Sequence, residues 1–268
     1  MDIYPAKEDH LLLQSFSPLQ EIKVYDKLNG FRYMTQNGVQ QGGNLPGKPE
    51  RLVLPYFRGA AASLAFVDDP VDFLIIGLGI GAVPSYLRAV LPGSMVDVVE
   101  IDPVVPQVAK EWFGLREDDG LKVIIGDGRD YVNSAPRRYD MVFLDAYRDL
   151  EVPSRLTTLE FMEEVRTVLK PGGVVVSNLW GSVINPLFEA CVATLGDAFV
   201  NLCQFRSYTY NFILIADTRP VAIGPGELLG RAKGVMSRVE LGFDLVSMIR
   251  RQYSPIERGS HTAAPLRD

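Results

Sequence analysis

Residues Asp72 to Asp102, DFLIIGLGIGAVPSYLRAVLPGSMVDVVEID, constrain the fold more than any other stretch of the chain. An apolar run, Phe73 to Ile76, leads into a turn containing Gly77, Gly79 and Gly81. An amphipathic segment follows, and a second apolar run from Met95 to Val99 ends on Glu100. The order is strand, glycine turn, helix, strand. Such a unit sets helix amides beside a ligand's polar groups and an acid at the next strand tip, within reach of a ribose diol. Glu100 lies 23 positions after Gly77, close to the ~20 typical of a ribose-binding acid. A nucleoside-bearing ligand is the expectation. For the glycines alone the alternative is a tight turn without a ligand, and for Glu100 a solvated strand end.

From Asp72 onward short apolar runs alternate with longer amphipathic ones. Strands are expected at 72–76, 95–100, 121–125, 139–144 and 173–178, with helices near 80–91, 103–113, 128–134 and 158–169. Each strand needs a crossover helix to reach a parallel neighbour, so the alternation predicts a doubly wound parallel sheet. Thr157 with Glu160 predicts a capping box opening the last of these helices, and KPGG after Leu169 predicts its end. AFVNLCQF and YTYNFILIAD then predict an antiparallel strand pair. A parallel core closed by such a pair resembles a class I methyltransferase-like Rossmann sheet more than a dinucleotide dehydrogenase. Before it, EIKVY and FRYMT, separated by Asn29-Gly30 and followed by Asn37-Gly38, predict a small antiparallel β-meander. LVLPYFRGAAASLAF predicts a helix carrying the aromatic pair Tyr56 and Phe57. The expected organisation is an N-terminal β-strand domain over 1–60, a Rossmann-like catalytic domain over 61–220 and a helical C-terminal tail over 221–268.

The 268 residues are 47% hydrophobic and 22% charged, with a net charge of −6. Without a dense basic run the chain has no feature suited to a phosphate backbone, so no nucleic-acid partner is expected. No apolar run approaches 18 residues, and no membrane partner and a cytoplasmic location are expected. Cys191 and Cys203 lack metal-ligand spacing and read as buried thiols, and two histidines leave little for a metal site; no metal is expected.

Two further stretches carry chemistry. In GDGRDY, Gly126 to Tyr131, an acid flanked by glycines at the third strand tip can accept from an adenine amino group. Taken alone it equally describes a helix-capping Asp. In FLDAYRD, Phe143 to Asp149, Asp145 stands at the carboxyl edge where open α/β sheets bind ligands. An acid there can hold or deprotonate a nucleophile; its alternative is a structural strand end.

These residues, in this order, resemble the spermidine synthase family, the aminopropyltransferases, from about Ser17 to Asp217. SPLQEIKVY, NGVQQ, LVLPYFRGA, FLIIGLGIG, VEIDP, IIGDGRDY, the Asp145 segment, TTLEFMEEV and LKPGG follow in the family's sequence with nearly its spacing. The resemblance implies transfer of an aminopropyl group from decarboxylated S-adenosylmethionine to a small-molecule amine, and a homodimer. By the same resemblance Gln20, Gly77, Gly79, Gly81, Glu100, Ile101, Asp127 and Gly128 hold the donor. Asp145 accepts the attacking amine's proton, and Gln41, Tyr56, Tyr147, Arg148 and Asp149 wall the acceptor cavity.

Two positions depart from the family pattern. Ile80 replaces the acid that grips the aminopropyl amine, and Arg148 replaces an acid that grips the polyamine. Like charges ~4 Å apart cost on the order of 4 kcal/mol at an effective dielectric near 20, so an inward Arg148 repels a diamine. If Arg148 faces outward, Asp149 is available for the role, and the sequence leaves both open. DAYRDLEVPSRLTTLEF also resembles a divergent spermidine-synthase-like branch. Two other readings follow: a methyl or aminocarboxypropyl transferase using intact S-adenosylmethionine, and a non-catalytic paralogue that binds a nucleoside or polyamine. A dehydrogenase has no place for the N-terminal meander or GDGRDY.

Overall fold

The computed structural model describes residues 4–147, 152–207 and 210–268. Four antiparallel strands open the chain: β1 (His10–Phe16), β2 (Glu21–Asp26), β3 (Arg32–Gln36) and β4 (Val39–Asn44), paired in that order. Asn37 and Gly38, at φ 47° and 84°, form the two-residue turn between β3 and β4, as a tight hairpin requires. Helix α1 (Pro55–Ala61) and a 3-10 turn (Ala62–Ala65) lead into the alternating region.

There β5 (Asp72–Ile76), α2 (Ala82–Val90), β6 (Met95–Glu100), α3 (Val105–Phe113), β7 (Leu121–Ile125), α4 (Gly128–Ser134) and β8 (Tyr139–Leu144) follow in turn. They are succeeded by α5 (Leu159–Val168), β9 (Leu169–Trp180), α6 (Phe188–Ala198), β10 (Asn201–Arg206) and β11 (Asn211–Asp217). The chain continues through α7 (Pro225–Arg238), α8 (Leu245–Gln252) and β12 (Tyr253–Ile256). The large sheet has the order β12-β10-β11-β9-β8-β5-β6-β7. β7 to β9 are parallel, whereas β11, β10 and β12 are antiparallel to their neighbours. The fold is thus α/β, with a mixed methyltransferase-like sheet and a small antiparallel sheet before it.

Burial explains why the central strands are continuous apolar runs: Phe73, Leu74, Ile75 and Ile76 are each at most 2% exposed. Alternate residues serve opposite faces, as a strand buried on both sides demands. Phe73, Ile75, Val96 and Val98 join a cluster with α1, α2, α3, α7, α8 and the N-terminal sheet. Leu74, Ile76, Val99 and Val142 join one with α4, α5 and α6. The N-terminal sheet therefore shares its apolar interior with one face of the large sheet. The chain turns back at β5, whose neighbours are β6 on one side and β8 on the other, and the ligand crevice of such sheets opens at that switch point.

Three local expectations are corrected. The cap of α5 is Thr158, which accepts from the Phe161 amide at 3.3 Å, while the Thr157 hydroxyl donates to the Ser154 carbonyl. This frame turns Leu159, Phe161, Met162 and Val165 inward. The strand expected from 173 already begins at Leu169: KPGG follows the end of α5 at Val168 as expected, but it belongs to the start of β9, where the pairing with β8 jumps from Leu169 to Val174. The segment 221–268 is also more than a helical tail, because β12 adds a strand to the sheet edge. Pro255 lies within β12, and an edge strand tolerates the missing amide. Beyond it, Leu266 accepts from the Leu159 amide and the Asp268 carboxylate is clamped by Arg129 and Thr158. Cys191 and Cys203 are buried free thiols. Among the described residues no helix is long and apolar enough to cross a membrane.

Candidate active site

A cavity of about 1000 Å³ opens at the carboxyl edge of β5 to β9. The N-terminal sheet, α1, the turn near Arg155, the β10–β11 connection and the end of α8 complete its walls.

At one end stands Glu100, 7% exposed. Its Oε2 accepts from the Leu78 amide and its Oε1 from the Asp102 amide, both at 2.9 Å. Burial pushes its pKa upward, and these two amide bonds oppose that shift. The carboxylate is therefore fixed in orientation and keeps lone pairs for a diol. Gly77 and Gly79 line the cavity beside it, both at positive φ. At Gly77, φ is 95°, and a Cβ would stand 2.7 Å from the Asp145 carbonyl carbon and 2.9 Å from the Ala146 Cα. Only a bare Cα lets the β5 tip pass this close to Asp145. Gly81 does not reach the cavity: it precedes α2 in a left-handed conformation, and a Cβ there would meet Leu115. Its expected donor contact is replaced by a turn role.

Ile101 is 57% exposed and lines the cavity. Asp127 lines it too and caps α4 by accepting from the Arg129 and Asp130 amides, the helix-capping role that GDGRDY also described. Arg155 donates to Asp127 at 3.1 Å and to Asp130 at 2.9 Å across the cavity lip. Gly128 lies where a Cβ would strike Ile76, which lets α4 start against the sheet. Gln20 reaches the cavity with its amide donating to Asp102 at 2.9 Å, and Ser17 donates to the same carboxylate at 2.6 Å. Asp102, fully buried, thus ties the N-terminal sheet to the tip of β6.

In the middle is Asp145, just past β8. The Asn178 amide donates to its Oδ1 at 2.7 Å, and the Asn178 Oδ1 accepts from Asn211 at 3.0 Å. Asp145 keeps part of its surface open to the cavity, yet protein surrounds it elsewhere. Burial pushes its pKa up to about 7, opposed by the Asn178 bond. Tyr147 donates to the Asn178 carbonyl at 2.7 Å and accepts from the Trp180 amide at 3.0 Å. Tyr56 donates to the Gln41 carbonyl at 3.0 Å. Burial, with the Asp145 carboxylate nearby, raises both phenols well above their ordinary range, so both stay protonated donors. Asp145, Tyr56, Tyr147 and Gln41 therefore meet on one wall. Asn178 and Asp102 were missed by sequence reasoning; Asp102 lay within VEIDP, whereas Asn178 carried no signal. Arg148 and Asp149 lie outside the described residues.

Ile80 is 2% exposed and does not line the cavity. Its side chain packs toward β4, where a Cβ on Gly42 would lie 3.1 Å from it. The expectation that this position confronts the donor is corrected, because the turn aims it at the N-terminal sheet.

The sheet order and the acids at its carboxyl edge define a methyltransferase-type α/β protein with a crevice at the strand tips. A family model described as the spermine/spermidine synthase domain matches residues 61–213, more than half of the chain. The chain belongs to the spermine/spermidine synthase family. It is similar to a polyamine aminopropyltransferase of Vibrio vulnificus, 37% identical over 160 residues, which cover 59% of this chain and 53% of that protein. It thus spans about half the length of that relative. It is also similar to an eEF1A lysine and N-terminal methyltransferase of Danio rerio, 36% identical over 122 residues, 42% of this chain and 18% of that one. Among solved structures, human methyltransferase-like protein 13 in complex with SAH aligns with a TM-score of 0.65 at 29% identity, over 70% of this chain and 93% of that chain. A probable spermidine synthase from Corynebacterium glutamicum aligns with a TM-score of 0.74 at 21% identity over 96% of both, a likeness of fold.

Proposed function

We propose that this protein transfers an aminopropyl group from decarboxylated S-adenosylmethionine to an amine, a reaction of polyamine biosynthesis. One observation carries the reading: Asp145, held by Asn178 in the cavity floor and poised near neutrality by burial, stands beside the glycine turn that leads to Glu100. A base of such pKa is matched to its task at neutral pH. Family membership and the similarity to polyamine aminopropyltransferases support the same reading.

In this reading Glu100 binds the ribose hydroxyls, Gly77 and Gly79 let the nucleoside lie against backbone, Ile101 packs on the base and Asp127 accepts from its amino group. Gln20 lines the same half, and Gln41, Tyr56 and Tyr147 wall the acceptor. The amine lone pair attacks the propyl carbon bound to sulfur, the carbon–sulfur bond breaks with its pair left on sulfur, and neutral methylthioadenosine departs. The new ammonium passes its proton to Asp145. The sulfonium already activates the carbon, so orientation and a free lone pair are the protein's main contributions. We place the enzyme in the cytoplasm as a homodimer, which native mass spectrometry and fractionation test. The decisive experiment is mass spectrometry of products after incubation with both sulfonium donors and a panel of amines. An aminopropylated product that disappears in Asp145→Asn is the expected result.

A second reading is methyl transfer from intact S-adenosylmethionine, which calls for no carboxylate to grip a donor amine. The similarity to the eEF1A methyltransferases and to the SAH complex points the same way. Calorimetry against both donors separates the two, and marked preference for the intact form would sink the aminopropyl reading.

A further inference from the structure

The two ends of the cavity differ in charge. Among the described residues, the acids that line it are Glu100, Asp127 and Asp145, all on the side of β6, β7 and β8. The cation at that end, Arg155, is neutralised by Asp127 and Asp130. The opposite end carries Arg206, the last residue of β10, and Arg251, near the end of α8. The pairing of Phe205 with Tyr253 brings these two segments side by side on one rim. Arg206 lies over the Phe212 ring at 5.8 Å, and the Arg251 Nε donates to the Ser247 carbonyl at 3.2 Å. Among the described residues neither guanidinium makes a salt bridge, and the Asp244 carboxylate acts on Arg251 only through space. In a chain of net charge −6, two exposed guanidiniums without a salt bridge on one cavity rim are a local feature and not a basic background.

Their position fixes what they could touch. β10 stands three strand steps from β8, and at ~4.8 Å per step that is about 14 Å from the strand that carries Asp145. Trp180, Tyr210 and Gln252 line the wall between or beside them. A dicationic acceptor lying along this wall would end against two like charges. An acceptor with a terminal carboxylate or phosphate would end against two donors of the geometry that binds such groups in pairs.

We propose that the amine acceptor carries an anionic group, a carboxylate or a phosphate, at the end remote from its nucleophilic nitrogen, and that Arg206 and Arg251 bind it. This rests on the aminopropyl reading for the reaction and specifies the acceptor. The chemical step is unchanged: the nitrogen–carbon bond forms, the carbon–sulfur bond breaks with its electron pair on sulfur, Asp145 takes the proton, and the anionic group is a spectator.

The test is equilibrium binding to the methylthioadenosine-loaded protein by calorimetry, using ω-aminocarboxylates, ω-aminoalkyl phosphates and α,ω-diamines in matched length series. At least tenfold tighter binding of one anionic series over the diamine of equal length is expected, and which series wins identifies the group. The advantage should grow toward longer chains, shrink with added salt and reverse in R206E/R251E. R206Q/R251Q should abolish it, while both variants bind methylthioadenosine as the parent does. Diamines binding equally or better, no binding of either class, or an unchanged ratio in the variants would overturn the proposal. Product mass spectrometry on the same mixtures keeps the two conclusions apart. Aminopropylated diamines without anionic preference defeat the acceptor assignment alone, and anionic preference in binding without aminopropyl transfer defeats the reaction alone.

Discussion

Replacing Asp145 by Asn separates the cost of the candidate base from its use. Asparagine keeps the shape and an acceptor oxygen for the Asn178 amide, which stands 2.7 Å from Oδ1, but it cannot ionise. Burial raises the Asp145 pKa from 3.8 to about 7, so between those values the folded chain holds a proton that the unfolded chain has released. Stability contributed by this group is complete below the unfolded value and is lost as pH rises through the folded one. At 1.36 kcal/mol per unit, the loss approaches about 4 kcal/mol at pH 8 and about 1.5 kcal/mol at pH 5. Water in the open part of the cavity screens the carboxylate and reduces these limits to roughly half. Asp145→Asn should therefore be more stable than the parent at pH 8, and its advantage should shrink by about 1 to 3 kcal/mol at pH 5. Urea unfolding at the two pH values measures this, while transfer activity falls about 10²- to 10⁴-fold. An equal effect at both pH values, or a destabilised variant at pH 8, would refute the placement of a costly carboxyl in that floor.

Other perturbations follow from the same geometry. Asn178→Ala removes the bond that opposes the burial-raised Asp145 pKa of about 7, so the rise of kcat/KM with pH should move alkaline relative to the parent in a pH–rate profile. Glu100→Gln weakens the charged acceptor for the ribose diol; methylthioadenosine affinity by calorimetry should drop about 10- to 100-fold, in line with about 1.5–3 kcal/mol for a charged hydrogen bond. Gly77→Ala combines a φ of 95° with a collision against the Asp145 backbone. On the order of 3 kcal/mol of stability should be lost in urea unfolding, with activity reduced further because the collision displaces Asp145.

The legible parts of this structure are those governed by local pattern. The runs Phe73–Ile76 and Met95–Val99 are buried on both faces, so they read as parallel strands without a partner in view. Glu100 and Asp145 were legible because strand tips in such a sheet point at the crevice. Other features depend on pairing that no window contains. Asn178 reaches Asp145 because β8 and β9 run in register, Leu144 against Ser177. β1 is an edge strand with Leu11 and Phe16 exposed, and it lacks the clean alternation of a half-buried strand. β12 is four residues long and contains a proline. Thr157 and Thr158 are equivalent by composition, and the inward frame of α5 decides between them.

The direction of Ile80 was equally hidden, since it follows from the dihedrals of a turn in which Gly79 and Gly81 both have positive φ. Packed against Gly42 and buried in the cluster that joins the two sheets, Ile80 is complementary to a glycine whose Cβ would crowd it at 3.1 Å. An acid placed there would not simply restore a grip on the donor amine. It would bury a carboxylate against Gly42 in the apolar cluster that joins the two sheets, and such a charge is tolerated only if paired. Ile80→Asp should therefore cost on the order of 3 kcal/mol or more, measured by urea unfolding. Its ratio of affinities for decarboxylated and intact S-adenosylmethionine, measured by calorimetry below the unfolding transition, should stay within about threefold of the parent. A stable Ile80→Asp protein with a tenfold gain toward the decarboxylated donor would show that the turn can re-aim the side chain into the cavity. Donor choice would then lie in the turn itself and not in the walls around Glu100 and Asp145.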